Sequence, residues 1–248
     1  MKILLLGQNK IFFECLNTVQ KNQIINFFNI RGIITDKFGI NFLKKKGWRT
    51  EFFNYEKIDF VDIENLINKN DIKAIISIQF PKIIPISLIR KIKFMAFNLH
   101  NAKLPDYRGH NSLTHEILNN EKKHTISVHW MAEKVDTGYI AMEKSINISQ
   151  NETAFSLYNK CLKECPKVFL KFIRDLSTNS LKKKKIKGKG KYYSIFLNKK
   201  ISNKESPKKI EAISRAFYFP GKEPAYFLIK KKKVYILPDE ILKKNEAI

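Results

Sequence analysis

The stretch FNLHNAKLPDYRGHN, 97–111, sets a carboxamide, Asn98, and an imidazole, His100, two positions apart at the end of an apolar run. In a strand, residues i and i+2 leave the same face, so the two side chains project together. Asn98 offers amide N–H donors, and His100 a ring nitrogen that titrates near neutral pH. Such a pair suits acyl transfer to an amine. One group donates to the oxygen of a carbonyl under attack while the other manages the proton of the attacking nitrogen. A third group must orient or charge-stabilise the imidazole. Asp136, on the turn VDTG, is the carboxylate that the expected neighbouring strands bring within reach. On the residues alone a second reading stands beside this one: a loop histidine satisfied by its own neighbours.

The elements that must position these groups follow from periodicity. KILLLG (2–7) reads as a buried strand, followed by an amphipathic helix over IFFECLNTVQ. IRGIIT (30–35) and GWRTEFFN (47–54) read as further strands, DIENLINKN as a helix with Asp62 as N-cap, and IKAIISI (72–78) as a strand covered on both faces. A short helix led by Pro85 and the strand FMAFNLH (94–100) come next. A helix over SLTHEILNN precedes HTISVHWM, whose alternation puts Ile126, Val128 and Trp130 on one face and Thr125, Ser127 and His129 on the other. GYIAMEKSINI is expected to pair with it. ETAFSLYNKCLKE is helical, with Pro166 a kink before KVFLKFIRDL. Strands alternating with helices predict a doubly wound α/β layer with ligands at the carboxyl ends of the strands. The boundary is set at 178/179, with a catalytic domain over 1–178. A basic connector, a helix capped by Ser206 with Pro207 at its first position, and a hairpin from AYFLI to KVYIL fill 179–248.

Composition narrows the class. The formal charge is +24, carried by 41 lysines and only six arginines. Because arginine is the better phosphate fork, this charge is read as a solvated surface that attracts anionic small substrates, not as a nucleic-acid interface. No apolar stretch is long enough to span a membrane or act as a leader, so a cytoplasmic location is expected. Cys15, Cys161 and Cys165 form no disulfide framework and read as buried thiols. No metal site is expected, and Gly7-Gln8-Asn9-Lys10 lacks a dinucleotide fingerprint. His115, His124 and His129 read as structural.

Asn98, His100, Leu104, Pro105, Tyr107, Arg108 and Gly109, followed by Val135, Asp136, Thr137 and Gly138, resemble the signature of the folate-dependent formyltransferases, N-x-H-x-S-x-L-P-x-Y-R-G and then D-E-G-x-D-T-G. The resemblance spans 1–175. It implies a Rossmann-like, mostly parallel twisted sheet with helices on both faces. It also implies a catalytic trio of Asn98, His100 and Asp136, and N10-formyltetrahydrofolate as formyl donor. By the same resemblance the folate contacts are Lys82, Ile83 and Ile84 of KIIP, together with Ala132, Glu133, Lys134 and Val135. Two departures stand out: Asn101 and Ala102 replace Pro-Ser after the histidine, and AEK replaces DEG before Val135.

Among the branches of that family, the nucleotide-sugar N-formyltransferases fit best. ISRAFYFPGKEPAYF resembles their segment after the core, and YRGHN carries a His-Asn pair. The tRNA branch has a longer C-terminal β-barrel than the 28 residues after Pro220 are expected to build. The resemblance implies a dTDP-linked amino-dideoxy sugar as acceptor, of the dTDP-4-amino-4,6-dideoxyglucose type, a role in O-antigen synthesis and a homodimer. Candidate acceptor contacts are Lys10, Tyr107, Arg108, Gly109, His110, Asn111, Arg215, Phe217 and Tyr218. Arg215 or Lys10 would meet the diphosphate, and the aromatic faces would stack on the base. A methionyl-tRNA formyltransferase-like enzyme and a non-catalytic RNA-binding relative are the competing readings.

Overall fold

The computed structural model describes residues 1–23, 27–239 and 241. In chain order the elements are β1 (Lys2–Gly7), α1 (Asn9–Lys21), β2 (Asn29–Thr35), α2 (Lys37–Lys45), β3 (Phe52–Asn54), α3 (Phe60–Asn70), β4 (Ala74–Ile78), α4 (Ile86–Lys91) and β5 (Ala96–His100). There follow β6 (Arg108–Gly109), α5 (Ser112–Leu118), β7 (Lys123–Trp130), β8 (Ile140–Asn147), α6 (Ala154–Ser177), β9 (Tyr192–Tyr193), α7 (Pro207–Phe217), β10 (Tyr226–Ile229) and β11 (Lys232–Tyr235). The chain divides into two compact units interleaved in sequence. The first takes Met1–His100, Ile126–Lys144 and Leu162–Lys189; the second takes Asn101–Thr125, Ser145–Cys161 and Gly190–Ile248. The expected linear division at 178/179 does not coincide with these units, because the chain already leaves the first directly after His100.

The first unit is organised by a seven-stranded sheet in the order β3-β2-β1-β4-β5-β7-β8. β1 runs parallel to β2 and β4, β2 to β3 and β4 to β5, while β5 pairs antiparallel with β7. Succession reverses between β1 and β4, which opens a crevice at their carboxyl ends, the usual ligand position in such sheets. The alternation of β1 explains why both faces are covered. Leu4 and Leu6 join Ile63, Leu66, Leu88 and Ile89 of α3 and α4 in one core cluster. Ile3 and Leu5 instead line a small internal gap with Leu16 and Val19 of α1 and Phe169 and Ile173 of α6. Each such buried side chain contributes about 1.5–3 kcal/mol.

Local departures from the sequence reading have physical causes. β3 is shorter than expected because Gly47 takes a left-handed turn (φ +78°) after α2 and Trp48 is buried in the core. α3 begins earlier: Asp59 is the N-cap, accepting from the Asp62 amide at 2.9 Å, while Asp62 accepts from the Asp59 amide at 3.1 Å. α6 continues through Pro166. Ser206 caps α7 with Pro207 at its first position, as expected. The three cysteines are free and buried.

The second unit packs Ile117 of α5, Leu157 of α6, and Ala216 and Phe217 of α7 around Ile201 and Ala225. Its short parallel ladder sets Arg108 beside Tyr192 and Gly109 beside Tyr193. The expected hairpin is present, with Tyr226 opposite Tyr235. Lys230 and Lys231 form its two-residue turn with φ of +47° and +67°, the double left-handed conformation that matches strand twist. Among the described residues no helix is long and apolar enough to cross a membrane.

Candidate active site

β5 becomes polar on one face at its carboxyl end. Phe97 and Leu99 are buried, Phe97 against Trp130 and Phe172 with ring centroids 5.1 Å apart in both pairs. The alternate positions, Asn98 and His100, are half-buried on the opposite face. The antiparallel register sets Asn98 opposite His129 and His100 opposite Ser127. Directly opposed residues share a face, so β7 delivers His129 onto the side that carries Asn98 and His100.

Asp136 comes from the turn after β7. Thr137 Oγ1 donates to the Lys134 carbonyl at 2.8 Å, closing the turn, and Asp136 is left-handed at φ +55°. A Cβ at Gly138 would overlap the Trp130 carbonyl, so glycine is what lets VDTG lie against the main chain beside His129. The carboxylate then bridges two imidazoles. Oδ1 is 3.3 Å from Nε2 of His129, and Oδ2 is 3.8 Å from Nε2 of His100.

His129, read from the sequence as structural, is at the centre of the group. Its Nδ1 is 2.9 Å from the Trp130 carbonyl, and its Nε2 is 3.3 Å from Nδ2 of Asn98. A carbonyl only accepts, so the proton is on Nδ1, and Nε2 faces Asn98 and Asp136. A neutral ring accepts from the Asn98 amide; a charged ring donates to Asp136. The signal was present in the alternation of HTISVHWM, but its use required knowing which residue of β5 lies opposite.

The other expected positions divide clearly. In the first unit, Lys82 Nζ donates to the Ile58 carbonyl at 3.2 Å and is 6.0 Å from the Tyr55 ring centroid. Ile83 is 70% exposed, and Ile84, Phe80 and Met131 are packed, partly buried, against the core cluster. Ala132 is half-buried, and Glu133, Lys134 and Val135 are exposed. Residues 82–84 and 132–135 lie outside helix and strand, so no ladder consumes their main-chain groups. Lys10 is exposed in the first turn of α1.

In the second unit, Tyr107 is buried, stacked on Tyr193 at 5.4 Å, and its hydroxyl donates to Glu121 at 2.7 Å; burial pushes the phenol up. Arg108 has a buried Nε with no hydrogen-bond partner among the described residues. Gly109, at φ +88°, lies where a Cβ would strike the Tyr193 carbonyl. His110 donates its main-chain N–H to that carbonyl at 2.9 Å and leaves its side chain exposed. Asn111 is left-handed at the start of α5 and donates from Nδ2 to the Ile195 carbonyl at 2.9 Å.

Two expectations are corrected. Arg215 is 6% exposed and its guanidinium is consumed: Nε and Nη2 pair with Glu211 one helical turn away, and Nη1 donates to the Glu152 carbonyl at 3.1 Å. It is therefore not available to a diphosphate. Phe217 is a member of the second unit's core and offers no face for stacking on a base. Tyr218 is half-buried, edge-on to Phe155 at 6.5 Å.

The chain is similar to several known proteins. A GDP-perosamine N-formyltransferase of Brucella melitensis is 31% identical over 168 residues, 67% of this chain and 64% of that protein, so the chain spans less than two thirds of its length. A sugar N-formyltransferase from a Shewanella species superimposes with a TM-score of 0.79 over 96% of both chains at 21% identity, which establishes the shared fold. The N-formyltransferase from Helicobacter canadensis, solved with folinic acid and dTDP-3-aminofucose, gives a TM-score of 0.69 at 25% identity, covering 94% of this chain and 86% of that one. The formyl transferase profile matches residues 1–173, so the chain belongs to the formyl transferase family.

Proposed function

We propose that the protein transfers the formyl group of N10-formyltetrahydrofolate to the amino group of a nucleotide-linked amino-dideoxy sugar. The observation that carries the reading is the cluster of Asn98, His100, His129 and Asp136 at the carboxyl end of the sheet. The folate supplies the electrophilic formyl carbon. Asn98, its amide oriented by His129, donates its remaining N–H to the formyl oxygen as negative charge grows there. His100 accepts the proton that the amine sheds on attack, Asp136 stabilises the resulting imidazolium across 3.8 Å, and the same proton passes to N10 as the bond from the formyl carbon to N10 breaks and tetrahydrofolate departs. Lys82, Ile83, Ile84 and residues 132–135 are assigned to the folate. Lys10, Arg108, His110 and Asn111 are assigned to the acceptor, with the unpartnered Nε of Arg108 the strongest of them.

The acceptor to test first is dTDP-4-amino-4,6-dideoxyglucose, its product destined for surface polysaccharide, with the enzyme acting in the cytoplasm as a homodimer. The exposed apolar side chains Leu228, Ile229 and Val234 on the β10–β11 hairpin support self-association. Relatives act on or bind both GDP- and dTDP-linked sugars, so the test uses both. The protein is incubated with N10-formyltetrahydrofolate and a panel of GDP- and dTDP-linked 3- and 4-amino sugars, and products are weighed by mass spectrometry. Gain of one formyl group by a member of the panel is the expected result. Formylation of methionyl-tRNA alone would overturn the acceptor class. Salt-sensitive RNA binding without any formyl transfer would overturn the activity.

A further inference from the structure

Gln79, the residue after β4, combines three features that the site described above leaves unused. Its φ is +54°, left-handed backbone that glycine adopts far more easily than a residue with a Cβ. Its side-chain oxygen Oε1 is buried and has no hydrogen-bond partner among the described residues. Its place follows from register. Ser77 lies beside Asn98 and Ile78 beside Leu99 on one flank, and Ile78 lies beside Gly7 on the other. Gln79 is therefore the next position along, level with His100 and at the switch between β1 and β4. A strained backbone and an unsatisfied buried acceptor are each unfavourable, and together at the carboxyl end of a central strand they point to a ligand that supplies the missing donor.

We propose that the carboxamide oxygen of Gln79 accepts an N–H from the acceptor amine, an inference that rests on the formyl-transfer reading above. The chemistry favours the amine because the neighbouring group is the one assigned to take its proton. An amine nitrogen held through one N–H by Gln79, and giving another proton to His100, has its lone pair directed away from both. That leaves the pair free to form the new bond to the formyl carbon, so Gln79 selects the attacking orientation and rejects acceptors that present a hydroxyl with its single proton already committed to His100.

Three variants test this: Gln79→Met removes the acceptor atom at similar length, Gln79→Glu keeps an acceptor, and Gln79→Gly removes the acceptor while relieving the backbone. Wild-type turnover with an amino sugar is measured first; if no amine is formylated, the underlying reading fails and this inference with it. With an active wild type, Gln79→Met is expected to lose about 10-fold or more in kcat/KM for the amine while binding 5-formyltetrahydrofolate within about twofold of wild type. Gln79→Glu is expected to recover part of that loss. Gln79→Gly is expected to unfold at higher temperature yet share the activity defect, which separates the contact from any structural role. Unchanged kcat/KM in Gln79→Met, or a loss matched by weaker folate binding, would overturn the assignment to the amine.

Discussion

Removing the imidazole of His100 leaves the contacts among Asn98, His129 and Asp136 intact, because none of them runs through that ring. The loss is therefore expected in the proton transfer alone. In His100→Ala, kcat is expected to fall about 10²–10⁴-fold with folate affinity within about twofold, measured by steady-state kinetics and a folate titration; wild-type turnover would remove His100 from the chemistry. His129 acts one step back. His129→Leu keeps bulk but removes the ring nitrogen that orients the Asn98 amide when neutral and pairs with Asp136 at 3.3 Å when charged. It is expected to lower kcat more than it raises KM, and to destabilise the fold by about 1–3 kcal/mol through the buried groups left unpaired. An unchanged kcat with only a lowered melting temperature would reduce His129 to a core residue, the role that its lone position in the sequence suggested.

At the scale of elements, the turn after β7 and the helix before it each make a distinct demand. Gly138→Ala places a methyl where the Trp130 carbonyl stands. The turn must then shift, taking Asp136 away from His100 and His129, and about a 10-fold or larger drop in kcat is expected with the fold retained. Recovery of full activity in this variant would show that the turn yields elsewhere. In the second unit, His124 at the start of β7 is fully buried between Glu116 of α5 at 2.6 Å and the Asn101 side chain at 2.9 Å, with Cys161 of α6 as a further partner. Burial opposes its charge, but the hydrogen bonds to Cys161 and Glu116 outweigh it and hold His124 up at about 10, while burial raises Glu116 as well. The pair thus retains one proton that an unfolded histidine, at its ordinary 6.5, has already released. The stabilisation is whole below that value and is lost as pH climbs through about 10. The urea midpoint is expected to fall from pH 7 to pH 10 in the wild type, and to flatten in the His124→Gln, Glu116→Gln double variant. An equal slope in both would place the titration elsewhere.

For the whole molecule, the governing quantity is a formal charge of +24. On the proposed function, its field attracts a diphosphate-bearing acceptor over a range set by salt, about 10 Å at 0.1 M and about 3 Å at 1 M. The KM for the proposed nucleotide-sugar acceptor is expected to rise several-fold across that range with kcat nearly constant; a flat KM would show that the lysines only solvate the surface. Much of the fold was legible because it rests on local rules. Alternation marked β7, continuous apolar runs marked β1 and β4, and Ser206-Pro207 marked the start of α7. The spacing of Asn98 and His100 and the glycine of VDTG were equally local, since i and i+2 share a face of any strand. What the sequence by itself determined was thus the set of groups able to do this chemistry and the elements that carry them. Only the tertiary structure decided which of those groups meet, because partner choice is long-range. The β5–β7 register brought His129 opposite Asn98, β4 set Gln79 level with His100, and packing of α7 turned Arg215 onto the Glu152 carbonyl.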